Sequence, residues 1–227
     1  MKPIEIKNVS DTEASIYIYG DIASYDMWGD EFTPDILKAQ LETFKGKTLN
    51  LYINSNGGDV FAGTSIYNML KRHDGKVKAY VDGLAASIAS LILMSAEEIY
   101  IPANGYVMIH RPTCRTNGNS DDLMRMAELL DDIENDLIES YQTHSDTEYQ
   151  TLKDLVNKET WLNGKEFTKV FNKNTFLIDA LDAVACVSDI DYKNKPKSIV
   201  INKEEKEQTE DIEAMKKEIA IALAINE

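Results

Sequence analysis

Three short stretches of the sequence carry residues that could perform acyl-transfer chemistry. In the first, Ser87 stands in a run of small residues, Gly83–Ala89, between a predicted strand and a predicted helix. A nucleophile at the start of a helix gains from the helix dipole and from free backbone N–H groups. The stretch is not the G-x-S-x-G elbow, because Ala85 and Ala89 replace the glycines. Taken alone, Ser87 fits a helix N-cap as well as a nucleophile.

The second stretch offers a base. His110 is one of three histidines and follows an apolar strand predicted at Tyr106–Ile109. The other two, His73 and His144, lie in or beside polar helix ends. A histidine that emerges from an apolar strand is held in position, as a general base must be. A purely structural histidine fits the same place when it is considered by itself.

The third stretch, Asn54–Gly58, follows a predicted strand, precedes a predicted helix and ends in two glycines. Glycines let the backbone turn sharply and leave amide N–H groups uncovered. Such groups stabilise an oxyanion or hold a phosphate. A simple tight turn is the alternative.

The elements that must position these stretches alternate between strands and helices. Apolar runs and helical spacing predict strands at Ala14–Tyr19, Leu49–Ile53, Val77–Val81, Ile99–Ile101 and Tyr106–Ile109, and helices at Pro34–Phe44, Phe61–Leu70 and Ser87–Met94. Gly83–Ala86 is predicted to form a turn. This alternation predicts an α/β fold with right-handed crossovers and a largely parallel sheet.

A long helix is predicted from Ser120 to about His144, followed by a second helix near Glu148–Val156. Apolar residues recur at a spacing of three to four: Leu123, Met126, Leu130, Ile133, Leu137 and Tyr141. About 25 residues of helix span roughly 37 Å, which is long for a domain of this size. We therefore expect an oligomer built partly through this helix, and ordinary packing of the helix on its own sheet is the alternative.

Composition limits the classes of function. The formal net charge of −15 argues against nucleic acid as a partner, because phosphate binding needs clustered basic residues. No apolar run reaches the roughly 18 residues of a membrane span, and the first residues form no signal core. Cys114 and Cys186 make neither a disulfide framework nor a metal-ligand pattern. We therefore expect a cytoplasmic protein without a metal.

Composition changes after Tyr192. Residues 193–227 are dominated by lysine and glutamate, although Ile212, Met215, Ile219 and Leu223 keep helical spacing. We expect one folded domain over residues 1–192 and a charged tail over residues 193–227 that is helical or disordered.

Together the three stretches resemble the ClpP family, the proteolytic subunits of the Clp proteases. The matching sequences are LYINSNGGDVFAGTSIYNML, YVDGLAASIASLILMSA and IPANGYVMIHRP, in the family's order and near-identical spacing. The resemblance runs from about Ala14 to Val187. The forms DVFAG, YVDGLAASIAS and ETWL are more similar to the phage- and prophage-encoded head-maturation proteases than to the housekeeping subunit. The resemblance implies a ClpP/crotonase-like fold of repeated βαβ units with a protruding long helix.

The resemblance also implies roles for residues. It makes Ser87 the nucleophile and His110 the general base, and it places oxyanion-hole amides at Gly58 and Ile88. The third triad position falls on Glu159, where the family usually has aspartate. A glutamate can orient an imidazole, but its extra methylene moves the carboxylate, so Asp154 is an alternative.

The function expected from this resemblance is that of a serine endopeptidase acting through an acyl-enzyme, with no cofactor. Its partners would be protein or peptide substrates, among them phage capsid or scaffold proteins, and other copies of the chain in a ring. Two departures qualify this expectation: Thr113–Gly118 has one glycine where the family is glycine-rich, and Asn50 replaces an aromatic residue, which weakens docking of an ATPase. The alternatives are an inactive ring that serves as an assembly module, and a crotonase-type acyl-CoA enzyme.

Overall fold

The computed structural model of the protein describes residues 6–7, 10–27, 29, 31–180, 192 and 194–196. Most of the predicted tail, with its apolar stripe, lies outside the described residues, as does Cys186.

Strands and helices alternate along the described chain. The strands are β1 (Ile6–Lys7), β2 (Glu13–Ile22), β3 (Thr48–Gly58), β4 (Val77–Ala86), β5 (Glu98–Pro102), β6 (Tyr106–Ile109), β7 (Thr160–Asn163) and β8 (Thr175–Ile178). The helices are α1 (Pro34–Leu41), α2 (Val60–Lys71), α3 (Ile88–Leu93), α4 (Ser120–Gln142), α5 (Tyr149–Asn157) and α6 (Gly164–Val170).

The strands form one largely parallel sheet in the order β1-β2-β3-β4-β5-β8. Strand β6 pairs in parallel with β4, and β7 pairs antiparallel with β6. Strand β1 lies antiparallel to β2 at the other edge of the sheet. This architecture confirms the predicted α/β class with a largely parallel sheet.

Strand β4 changes its partner along its length, and this positions the site. Its first part pairs with β5 at Lys78↔Glu98, whereas its last residues pair with β6 at Ala86↔Met108. The carboxyl ends of β4 and β6 therefore lie side by side. Because Ser87 follows one of these strands and His110 the other, the pairing brings the two residues together.

One face of the sheet is buried under helices, as the alternation of apolar residues requires. The core combines alternate strand residues with helix faces: Ile16, Ile18, Leu49, Leu51, Ile53, Ala79, Val81, Ile99 and Ile101 with Leu37, Ile66, Leu70 and Ile92.

The opposite face carries a ladder of stacked aromatic rings. Tyr17, Tyr52, Tyr80, Tyr100 and Phe176 are in register across five strands, with successive ring centroids 4.8–5.1 Å apart. Such cross-strand aromatic pairs stabilise a sheet. The ladder was not predicted, because it depends on the pairing of strands that are distant in sequence.

Two local predictions are wrong. Gly83–Ala86 continues strand β4 instead of turning, because these residues pair with β3 and β6. Residues Asn54–Gly58 likewise extend β3 alongside β2. The long helix begins at Ser120, as predicted, and Asn119 caps it: the Asn119 side chain accepts from two backbone N–H groups, and Asp122 completes a capping box.

Helix α4 has two unlike halves. Its C-terminal half contributes the buried residues Leu137, Ile138 and Tyr141 to the core. Its N-terminal half leaves Met124, Leu123 and Leu129 exposed, at 57%, 46% and 41%. The helix therefore extends beyond the domain with apolar side chains in solvent, as predicted for a protruding long helix.

Candidate active site

Ser87 occupies a strained turn between strand β4 and helix α3. Its backbone has φ 54° and ψ −128°, a combination that residues other than glycine rarely adopt. The Ser87 N–H donates to Met108 O at 2.9 Å, and the Ser90 N–H donates to Ser87 O at 2.9 Å. The side chain makes no capping hydrogen bond to its helix, so it is free to face elsewhere.

The Ser87 side chain faces His110. Its Oγ lies 2.7 Å from Nε2 of the imidazole, which follows β6. When the neutral ring carries its proton on Nδ1, the hydroxyl donates to Nε2, and the histidine can take that proton. This is the geometry of an activated nucleophile and its base.

The surroundings of His110 favour its neutral form. Burial lowers the pKa of His110, and the negative charge of Glu159 partly opposes that shift by stabilising the imidazolium. A histidine with a lowered pKa is available as a base at neutral pH.

The two glycines of the Asn54–Gly58 stretch let its backbone approach Ser87. A Cβ on Gly57 would lie 2.7 Å from Ser87 Cβ and 3.2 Å from the Ile88 nitrogen. Gly57 and Gly58 have φ values of 98° and 146°, which disfavour other residues. A side chain at Gly57 would force this stretch away from the serine, whereas one at Gly58 would clash with the backbone of Ile22.

Backbone N–H groups are therefore concentrated beside the serine. Ile88 is the first residue of α3, and the N–H groups of a first helical turn have no partner within the helix. The backbone of Gly57 passes directly beside it. Amides in this position can stabilise negative charge on a substrate oxygen.

Glu159 lies beside His110 in the sheet, but its carboxylate is engaged elsewhere. The pairing Ile109↔Thr160 between β6 and β7 brings the two neighbouring residues together. Glu159 Oε1 accepts from the Asn194 backbone N–H at 2.7 Å and from the Trp161 indole N–H at 3.3 Å. Between the described residues, no hydrogen bond joins this carboxylate to the His110 ring. Its influence on the histidine is electrostatic in this conformation.

The alternative acid, Asp154, is less well placed. It is exposed on helix α5, where its Oδ1 accepts from the Gln150 side chain at 3.0 Å. Of the two acids, Glu159 is the one whose charge shifts the pKa of His110.

Two contacts that were not predicted tie helix α4 to the site. Arg111, next to His110, donates to Glu134 and Asp131 on the helix at 2.6 Å each. Ser90 donates to Ser87 O at 2.5 Å, and its Oγ lies 2.7 Å from the hydroxyl of Tyr141. No sequence pattern signals such pairs, because their members are far apart along the chain.

Tyr192 is a further residue that sequence reasoning missed. Its ring meets the His110 ring edge-on with centroids 5.8 Å apart, and the Trp161 ring at 5.5 Å. Its hydroxyl donates to Asn56 O at 2.7 Å. Burial raises the pKa of Tyr192 to about 12, with contributions from Asp21 and Glu159. This residue therefore contacts both His110 and the backbone of the Asn54–Gly58 stretch.

A serine and a histidine in hydrogen-bond contact at neighbouring strand ends have the arrangement of a nucleophile and its base. The sequence profile of the Clp protease family matches residues 4–170, and the chain belongs to that family.

Relatives include proteins named ATP-dependent Clp protease proteolytic subunit. The one from Bacteroides thetaiotaomicron is 29% identical over 143 residues, which cover 60% of this chain and 65% of that protein. The one from Porphyromonas gingivalis is 27% identical over 158 residues, covering 64% and 71%. The chain thus spans about two thirds of the length of the relatives it matches.

Among the described residues, no helix combines the length and apolar character that a membrane crossing requires.

Removing the charge of Glu159 should lower the pKa of His110. Glu159→Gln keeps the size of the side chain but no longer stabilises the imidazolium, so protonation of the ring becomes harder. We expect the ring signals of His110, followed by NMR during a pH titration, to move their midpoint to lower pH. Asp154→Asn is the matched control and should leave the midpoint in place. If the midpoint moves in Asp154→Asn instead, Asp154 is the acid that stabilises the His110 imidazolium.

Proposed function

We propose that this protein is a serine endopeptidase that cleaves its substrates through an acyl-enzyme. The observation that carries the proposal is the 2.7 Å approach of Ser87 Oγ to His110 Nε2 in a member of the Clp protease family. A strained backbone at Ser87 adds support, because such strain is concentrated at functional sites.

Each residue then has one chemical role. Ser87 Oγ attacks the peptide carbonyl while His110 Nε2 takes its proton, and the C–N bond breaks as His110 returns that proton to the leaving amine. Water then attacks the ester by the same route and frees Ser87. Glu159 stabilises the imidazolium that forms in both steps.

The Gly58 and Ile88 amides are proposed to hold the oxyanion. Loss of one such donor costs about 10²–10³ in kcat in other serine peptidases. The approach of Gly57 to Ser87 supports this role, because it brings the glycine backbone next to the Ile88 N–H.

We further propose that the natural substrate is a phage capsid or scaffold protein. The similarity of DVFAG, YVDGLAASIAS and ETWL to phage-encoded versions of the family supports this choice. Mass spectrometry would identify the substrate as a protein that gains new termini in cells with the wild-type chain. These termini should be absent from cells with Ser87→Ala. A set of termini without any capsid or scaffold protein would contradict this choice.

Two other functions compete with this proposal. A crotonase-type acyl-CoA enzyme needs no contact between a serine and a histidine, so the Ser87–His110 pair favours the peptidase. An inactive assembly module would need no activated nucleophile, and labelling of Ser87 separates it from an enzyme.

Ser87 should be the serine that reacts with a fluorophosphonate probe. Ser87→Ala and His110→Ala should each abolish labelling and peptide hydrolysis, because nucleophile and base act as one unit whose loss costs up to about 10⁶ in kcat. Ser65→Ala, on the exposed side of α2, is the control and should label like the wild type. Full hydrolysis by Ser87→Ala would end the peptidase proposal.

We propose that the chain forms a ring-shaped homo-oligomer through helix α4. Leu123, Met124 and Leu129 support this, because the projecting half of the helix exposes them to water. Leu129→Glu should split the assembly into smaller species in light scattering, since a carboxylate is costly to bury. Circular dichroism like that of the wild type would show that the variant still folds. A wild type that scatters as a 25.6 kDa monomer would contradict the proposal.

A further inference from the structure

The chain places a piece of its own C-terminal region across the proposed active site. The described part of this strap consists of Tyr192 and residues 194–196. The Tyr192 ring packs against an apolar patch that includes the buried residues Leu84, Ala86 and Met108. Two of these three residues lie on β4, just before the proposed nucleophile.

The tyrosine also contacts the proposed base and the stretch that holds the two glycines. Its ring lies edge-on against the His110 ring, at 5.8 Å between centroids. Its hydroxyl donates to Asn56 O at 2.7 Å, in the residue before Gly57. Tyr192 therefore bridges the base and the glycine backbone between which a substrate carbonyl would bind.

Asn194 contacts the proposed third member of the triad. Its backbone N–H donates to Glu159 Oε1 at 2.7 Å, and its side-chain amide donates to Lys158 O at 2.5 Å. The backbone of Glu159 is itself in a left-handed conformation at φ 51°. The strap thus binds a carboxylate oxygen of the residue whose charge acts on His110.

We propose that this strap is an intramolecular inhibitor of the active site, an inference that rests on the proposed peptidase function. Tyr192 covers the apolar patch beside Ser87, and Asn194 holds Glu159 away from the His110 ring. A peptide substrate with an aromatic or large apolar side chain binds the same patch and displaces the tyrosine. Displacement requires no covalent step, only the opening of the strap.

The contacts are suited to reversible opening. Asn194 is exposed, and Tyr192 is only half-buried. Segments held by few contacts open locally without global unfolding. Apparent substrate affinity falls in proportion to the fraction of molecules that are open, so a closed strap raises KM.

The test uses the full-length chain with single substitutions in the strap. Tyr192→Ala removes the ring, and Asn194→Pro removes the backbone N–H that binds Glu159. We expect Tyr192→Ala to raise kcat/KM for a short peptide about tenfold, mainly through KM, and to speed fluorophosphonate labelling of Ser87. Asn194→Pro should change both quantities in the same direction. Lys195→Ala, in the same segment, is the control and should behave like the wild type.

A peptide of residues 190–196, added in trans, supplies an independent readout. It should inhibit the Tyr192→Ala variant competitively, whereas the same peptide with alanine in place of its tyrosine should not. Tyr192→Phe keeps the ring and loses the hydroxyl, so its kcat/KM should lie between those of the wild type and Tyr192→Ala.

A fall in activity, where a rise is expected, would overturn the inference. A lower kcat in Tyr192→Ala, at unchanged KM, would make the strap a support of catalysis. Rates equal to the wild type, with no inhibition by the peptide, would show that the strap does not compete with substrate. In both cases the peptidase proposal stands as long as Ser87→Ala is inactive. A Ser87→Ala variant as active as the wild type would instead remove the peptidase proposal and the inference with it.

Discussion

The pairing of the end of strand β4 with strand β6 is the constraint on which the site depends. The register Ala86↔Met108 places the residues that follow the two strands next to each other. The hydrogen bond from the Ser87 N–H to Met108 O then holds a backbone conformation that is unfavourable in isolation. Without this pairing, Ser87 would be an ordinary residue at a helix start.

Two side-chain links connect this junction to helix α4. The hydrogen bonds from Arg111 to Glu134 and Asp131 lie beside the base. The contact between Ser90 and Tyr141 lies beneath the nucleophile. Glu134 is buried, so Arg111 compensates a charge that would be costly to leave unpaired. The same helix thus contacts residues beside the site with one half and projects into solvent with the other.

The fold was largely predictable, because the spacing of apolar residues is a local property of the sequence. The sequence also singled out Ser87 and His110, which the fold brings within hydrogen-bond distance. The extension of β4 through Gly83–Ala86 was missed, since pairing with β6 outweighs the turn propensity of small residues. Tyr192 was missed because it meets Asn56 across 136 positions, a separation that no local pattern spans.

The central claim is that His110 activates Ser87, and the pH dependence of Ser87 acylation tests it most directly. The rate of fluorophosphonate labelling should rise with pH along a single titration, because only the neutral imidazole accepts the proton of the hydroxyl. Its midpoint should equal the pKa of His110 measured by NMR on the same protein, which burial places below the usual histidine value. A labelling rate that does not change as His110 titrates, or that changes with a different midpoint, would contradict the account.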